Sequence, residues 1–247
     1  RKDGVYDDRV TGNMVWADFV HFTTRPVDGV PDPDLHAHCF AFNATFDWQE
    51  QAWKAGQFGD IKRDASYYEA AFHSRLAAEM QGLGFGVERH GKWWDVRGIP
   101  RDLIEKFSRR SAEIEAKAAE LGITDAEAKG ELGARTRNRK AKDVPMDALR
   151  EEWRGRLSAT DKVALGRVLA TETGSANFAE RISADKAMDY AIDASFERAS
   201  VVSDKQLREA ALRRSYGSVL PEEVPGAATR AGVISRDIDR RTLVTTQ

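Results

Sequence analysis

One cysteine in 247 residues, Cys39, excludes an internal disulfide and suits a reducing cytosol. No apolar run approaches the roughly 20 residues of a membrane-spanning helix, and no stretch reads as a secretory leader. The formal net charge of −2 lacks the basic excess of a general nucleic-acid binder, although uneven spacing of charge leaves room for a local basic groove. Repeats and low-complexity tracts are also absent. What remains is a chain rich in charge, 32% of residues, and 41% hydrophobic, long enough for two modest domains. It opens on Arg1 rather than Met and ends in a strand-like segment, so a piece of a longer protein is expected.

Histidine is scarce too, with five in all, yet three stand close together. His21 lies in one strand-like stretch, residues 13–24, and His36 and His38 in another, residues 35–46. Side chains alternate along a strand, so His36 and His38 share a face. A Pro-, Asp- and Gly-rich loop joins the stretches as an antiparallel pair, which can bring His21 beside the other two. Three neutral imidazoles on rigid strands make an open metal site, although a His-x-His pair also fits a polar surface. Cys39 alternates away from the His36/His38 face and is expected to pack. His73, in a helix, and His90, before Gly91, are read as structural.

The rest of the chain reads as helices with a few strands. A helix is predicted over Arg63–Gln81, a hairpin over Phe85–Arg89 and Lys92–Val96, and one helix from Pro100 with Leu103, Ile104, Phe107, Ile114 and Ala118 on its apolar stripe. Of Trp93 and Trp94, one should face the core. Helices over Asp125–Arg139, Met146–Leu157 and Ser158–Thr173 follow, then the linker candidate Gly174–Asn177. The last segment holds helices Ala184–Phe196 and Asp204–Ser215, the latter capped by Ser203, then Glu222–Gly232, interrupted by Pro225 and Gly226. A hairpin over Val233–Asp237 and Thr242–Thr246 closes it. That order suits a winged-helix module, but protein–protein adaptors share it. The fold class is therefore α+β: an antiparallel-sheet core with flanking helices, then a mostly helical C-terminal module.

Cations cluster twice. Arg135, Arg137, Arg139 and Lys140 lie in a run without acids, able to follow a phosphate backbone or simply to coat a solvated helix. Arg109 and Arg110 form a second basic spot inside a helix.

Several of these segments resemble the MobF-type relaxases of conjugative plasmids, within the HUH endonucleases. They are Thr11-Gly-Asn-Met-Val15 leading to His21, Asp32-Pro-Asp-Leu-His-Ala-His38 with Asn43, Gly91–Pro100, and Phe107–Glu115. Phe196–Ser203 and Gly217–Val224 look like the start of the helicase portion that follows such a relaxase. The resemblance implies a relaxase domain over 1–173 and a helicase-region start over 178–247. It implies that His21, His36 and His38 hold one divalent ion (Mg, Mn or Zn) against the scissile phosphate of single-stranded DNA. It further implies attack by a tyrosine, leaving a 5′-phosphotyrosyl link, in a bacterial cytoplasmic protein. DNA at an origin of transfer, relaxosome accessory proteins and a secretion coupling protein are the implied partners. The chain departs from the pattern in a wider His21–His36 separation, with an enlarged loop Arg25–Pro33, and in Phe22, where the family commonly has Asp. The nucleophilic tyrosine and an acidic residue behind one histidine are expected upstream of Arg1. Tyr6, Tyr67, Tyr68, Tyr190 and Tyr216 do not match the nucleophile's position. Three other readings remain at this point: a rolling-circle replication initiator, a three-histidine oxygenase of cupin type, and a non-catalytic DNA-binding adaptor.

Overall fold

A computed structural model describes residues 9–138, 144–170, 181–238 and 241–246. In chain order the elements are β1 (Trp16–Thr23), β2 (Pro33–Ala41), β3 (Thr45–Asp47), β4 (Ala52–Lys54), α1 (Phe58–Arg63), α2 (Ala65–Gly82), β5 (Val87–His90) and β6 (Trp93–Val96). Then come α3 (Arg101–Lys106), α4 (Arg109–Glu120), α5 (Ala126–Arg135), α6 (Met146–Arg156), α7 (Ala159–Leu169) and α8 (Ala184–Phe196). The last are β7 (Val202–Ser203), α9 (Asp204–Arg214), α10 (Val224–Arg230), β8 (Ile234–Ile238) and β9 (Arg241–Thr245). Mixed helices and small antiparallel sheets agree with the α+β class read from the sequence.

Two compact units divide the chain: residues 1–59 with 101–158, and residues 60–100 with 159–247. Their borders do not follow a split at 173/178, and the linker candidate Gly174–Asn177 lies outside the described residues. The reason is visible on α2, whose small side chains Ala70, Ser74 and Ala77 are fully buried within the second unit. Ala70 joins a core of Met188 and Ala191 from α8, Leu207 and Leu212 from α9, Val224 from α10 and Val244 from β9. The Ser74 hydroxyl donates to the Val219 carbonyl across this core at 2.5 Å. In the same unit Trp94 turns inward and donates from Nε1 to the His73 carbonyl, while Trp93 stays half exposed. That is the division of labour expected of adjacent strand residues. The segment from α8 to β9 runs helix, strand, helix, helix, strand, strand, with β9 between β7 and β8. Ser203 and Gln206 close a reciprocal capping box at the start of α9.

The first unit is built around two hairpins. β1 and β2 pair antiparallel, and beyond Ala41 the chain makes the further pair β3–β4. Side chains dictate that second turn. Asn13 binds both main-chain groups of Phe46 as a strand neighbour would, and Asp47 accepts from the amides of Gln49 and Glu50. The helix expected to run unbroken from Pro100 divides at Phe107–Ser108 into α3 and α4. Ser108 turns its hydroxyl back to the Ile104 carbonyl instead of capping α4, and the first amide of α4, that of Arg109, donates to Asp32. A carboxylate distant in sequence thus replaces the missing local cap.

In the second unit His73 sits against Trp93, Trp94 and Tyr216. Burial chiefly, opposed by the Glu69 charge and aided by that of Arg213, holds its imidazole below the ordinary 6.5. The folded state therefore binds this proton less readily than the unfolded chain. Its contribution to stability is present above about pH 6.5 and shrinks as pH falls toward the folded value. Urea titrations between pH 7.5 and 5 should show stability declining through that window. His73→Phe should flatten the decline, and an unchanged slope would remove His73 as its source.

Candidate metal centre

The β1–β2 hairpin sets His21 directly across from His36, with Phe19 across from His38. Cross-strand partners share a face and alternate residues return to it, so all three imidazoles stand together. One ligand nitrogen from each lies within 4.8 Å of the others. Ring centroids are 4.9–5.3 Å apart, every pair edge-on. A first-row cation with bonds of about 2.1 Å would hold tetrahedral ligand nitrogens about 3.4 Å apart, so small side-chain rotations close the set. The donor set fits a divalent ion: His21 and His36 are half-buried, His38 is exposed, and among the described residues no carboxylate belongs to the cluster. His73 and His90 lie elsewhere, as expected. Cys39 pairs with Asp18 and is exposed, so the expectation that it packs is corrected. Hydrogen bonding to Asp18, then desolvation, pushes its thiol up.

The loop between the strands is longer than a simple hairpin needs, yet it is tightly held. At its tip, Val27 and Val30 exchange both main-chain hydrogen bonds, at 3.1 Å each. Asp28 (φ 52°) and Gly29 (φ 81°) occupy the two central positions. Positive φ at both is the tight hairpin turn that an Asp-Gly pair favours. Side chains from α4, α6 and the segment after α5 fasten the rest: Trp153 donates to the Pro31 carbonyl, Asn138 to that of Pro26, and Arg109 to that of Val30.

Asp32 is the hub, with 1% of its side chain exposed. Its oxygens accept from the Arg109 amide at 3.0 Å, from Arg109 Nε at 2.9 Å and from Arg156 at 2.5 Å. Arg156 is also paired with Glu152 and lies over the Phe107 ring. Its guanidinium is pushed above the ordinary arginine range, first by the Glu152 hydrogen bond and, against burial, by Asp32.

These bonds place the predicted DNA-contacting cations differently from one another. Arg109 is committed to Asp32 and Val30. Arg110 spans Glu113, the Gly133 carbonyl and the Thr136 hydroxyl, joining α4 to the end of α5. Arg135 is largely exposed and pairs only loosely with Glu131 at 3.5 Å. Arg137 is exposed, while Arg139 and Lys140 lie outside the described residues. Sequence reasoning overlooked Asp32, Asp34, Trp153 and Arg156 as parts of the site. Only Asp34 carried a visible signal, since alternation sets it on the face of His36 and His38.

Comparison with known proteins yields consistent matches. A family model described as TrwC relaxase matches residues 1–160. The multifunctional conjugation protein TraI of Escherichia coli is 30% identical over 168 residues, which is 64% of this chain and 9% of that protein. Among solved structures, a metal-free complex of the conjugative relaxase TrwC with oriT DNA is 31% identical at a TM-score of 0.54. It aligns over 60% of this chain and 52% of its own. A metal-bound TrwC–oriT complex is 28% identical at 0.57, over 66% of this chain and 55% of its own. This chain thus spans about half of those solved chains and a small part of TraI.

Breaking a buried ion pair from one side leaves the other charges uncompensated, at a cost of about 3–5 kcal/mol. Asp32→Ala should lower unfolding stability by that order in urea, with α4 and the loop losing amide-exchange protection first. A change within about 0.5 kcal/mol, the usual range for an inert surface substitution, would show that Asp32 holds nothing together.

Proposed function

The chain belongs to the TrwC relaxase family, and on that premise we propose that it is part of a conjugative relaxase that nicks single-stranded DNA at an origin of transfer. The observation that carries the proposal is the convergence of His21, His36 and His38 on one face of a hairpin. The two solved TrwC structures described above, both in complex with oriT DNA and one of them metal-bound, support it, as does the conjugation protein TraI. A three-histidine oxygenase is set aside by the fold, since the triad stands on a two-stranded hairpin beside helices. Among the described residues no helix is long and apolar enough to cross a membrane.

In this reading the three imidazoles hold one divalent ion, Mg, Mn or Zn, as neutral ligands. A bound ion there would polarise the scissile phosphodiester and offset charge growing on its oxygens, with its full charge undiminished by ligand carboxylates. The protein's own part is to keep three rings in register, which the paired strands and the pinned loop do. Arg135 and Arg137, with Arg139 and Lys140, are proposed to meet the phosphate backbone. The fixed bonds of Arg109 and Arg110 favour holding the fold. The attacking group is a tyrosine in the family pattern. Among the described residues every tyrosine, namely Tyr67, Tyr68, Tyr190 and Tyr216, belongs to the unit without the triad. Tyr6 lies outside the described residues, and following the family pattern the proposal assigns the nucleophile to sequence upstream of Arg1, with accessory and coupling proteins as partners of such a relaxase. The region from α8 to β9 is proposed as a winged-helix-like start of a helicase portion.

Calorimetry with Mn²⁺ should find one site per chain. Replacing His21, His36 or His38 singly with Ala should weaken it at least tenfold, and undiminished binding by the triple variant would refute the metal centre. Mixed with an oriT-type oligonucleotide and Mn²⁺, the isolated chain should bind without forming a covalent adduct. An adduct stable to denaturing gels would place a nucleophile inside this chain. Each phosphate contact adds about −0.7 to the slope of log affinity against log salt for single strands. Arg135→Ala with Arg137→Ala should make that slope shallower by about 1.4, whereas an unaltered slope would move the interface elsewhere.

A further inference from the structure

We infer that Asp34 is a positioning residue for the metal centre, holding the His36 ring by Nδ1 so that Nε2 is the atom offered to the ion. The inference rests on the three-histidine metal reading above. His36 Nδ1 lies 3.1 Å from the main-chain carbonyl oxygen of Asp34 and 3.2 Å from its carboxylate Oδ2. Both oxygens only accept, so the hydrogen of a neutral ring sits on Nδ1 and the lone pair on Nε2.

The strand geometry shows how one residue supplies both acceptors. Pairing runs regularly from Trp16↔Ala41 to His21↔His36, then jumps to Thr23↔Pro33. Two residues of β2, Asp34 and Leu35, thus stand opposite Phe22 alone. Such a bulge re-aims neighbouring groups, and it falls immediately beside His36. The carbonyl contributes to the tautomer and would survive any substitution. The carboxylate is the separable part. It strengthens the N–H bond, orients the ring and makes Nε2 a stronger donor, while its charge stays one ring away from the ion.

The competing interpretation is an ordinary surface ion pair, which forms only when the ring is charged and contributes little. About half of the Asp34 side chain is exposed, so its substitution leaves folding undisturbed and the readouts interpretable. Long-range ¹H–¹⁵N spectra of the metal-free chain at neutral pH report the His36 tautomer directly. Mn²⁺ titration reports the affinity. The expected results are an Nδ1–H tautomer in wild type and Mn²⁺ binding weakened about 10- to 100-fold in Asp34→Ala. The tautomer should become more mixed in that variant. Asp34→Asn, which keeps an acceptor oxygen without the charge, should restore the tautomer and recover part of the affinity. An Nε2–H tautomer in wild type, or equal Mn²⁺ affinity in wild type and Asp34→Ala, would overturn the inference. Failure of the underlying metal reading looks different: wild-type chain would then take up no Mn²⁺ at all.

Discussion

The carboxylate of Asp32, buried between the guanidinium groups of Arg109 and Arg156, ties the histidine hairpin to the helices beside it. Its importance follows from how little apolar surface the first unit hides. Leu103, Ala118 and Leu149, with the loop prolines Pro26 and Pro31, are its buried apolar side chains among the described residues, against a much larger set in the second unit. Burying an apolar side chain contributes about 1.5–3 kcal/mol for the larger types, and so short a list cannot fix a long loop. Polar bonds supply what the core does not. A buried carboxylate is costly when isolated and tolerable only when its lone pairs are used. Asp32 has its own charge answered twice and also receives the first amide of α4.

Because Asp32 is the last residue of the loop, its anchorage sets where β2 begins. The bulge comes next and the two histidines of β2 follow it, with His21 fixed opposite by the register. A metal centre made of three long-bonded side chains tolerates little play, and ligand groups a fraction of an ångström out of place lose affinity. The enlarged loop is therefore no loose insertion. The Asp28-Gly29 turn closes its tip, and Trp153, Asn138 and Arg109 hold its carbonyls.

The triad was legible in the sequence because strand alternation and a turn-forming connection depend on local rules that few tertiary effects override. The helices were legible for the same reason, and Ser203 was found from its capping pattern alone. The division of α3 from α4 was not, because an apolar stripe from Leu103 to Ala118 is continuous and the break is imposed by Asp32 from outside the segment. Arg109 and Arg110 looked available for phosphate because a sequence shows cations but not their partners. The grouping of α2 with the C-terminal helices was hidden in Ala70, Ser74 and Ala77, which read equally well as an unremarkable polar-to-small face. Apolar strand residues such as Trp16, Val20, Phe22 and Leu35 suggest burial by composition, yet all remain exposed among the described residues.

Two acidic residues two positions apart, Asp32 and Asp34, show how surroundings divide one chemistry into two roles. At Asp32 the charge is enclosed and fully matched by arginine, so it adds almost no field at the imidazoles and serves as a fastening. Asp34 keeps its charge at the surface, its carboxylate facing one histidine. A carboxylate that bound the ion directly would cancel part of the charge that phosphate chemistry needs. Placed behind an imidazole, as we propose for Asp34, it would improve the ligand while leaving the ion's charge toward a substrate. The order of the motif, a fastening acid, a proline opening the strand, an orienting acid and then two histidines on one face, thus reads as a sequence of mechanical tasks. Each is set by what its neighbour must do next.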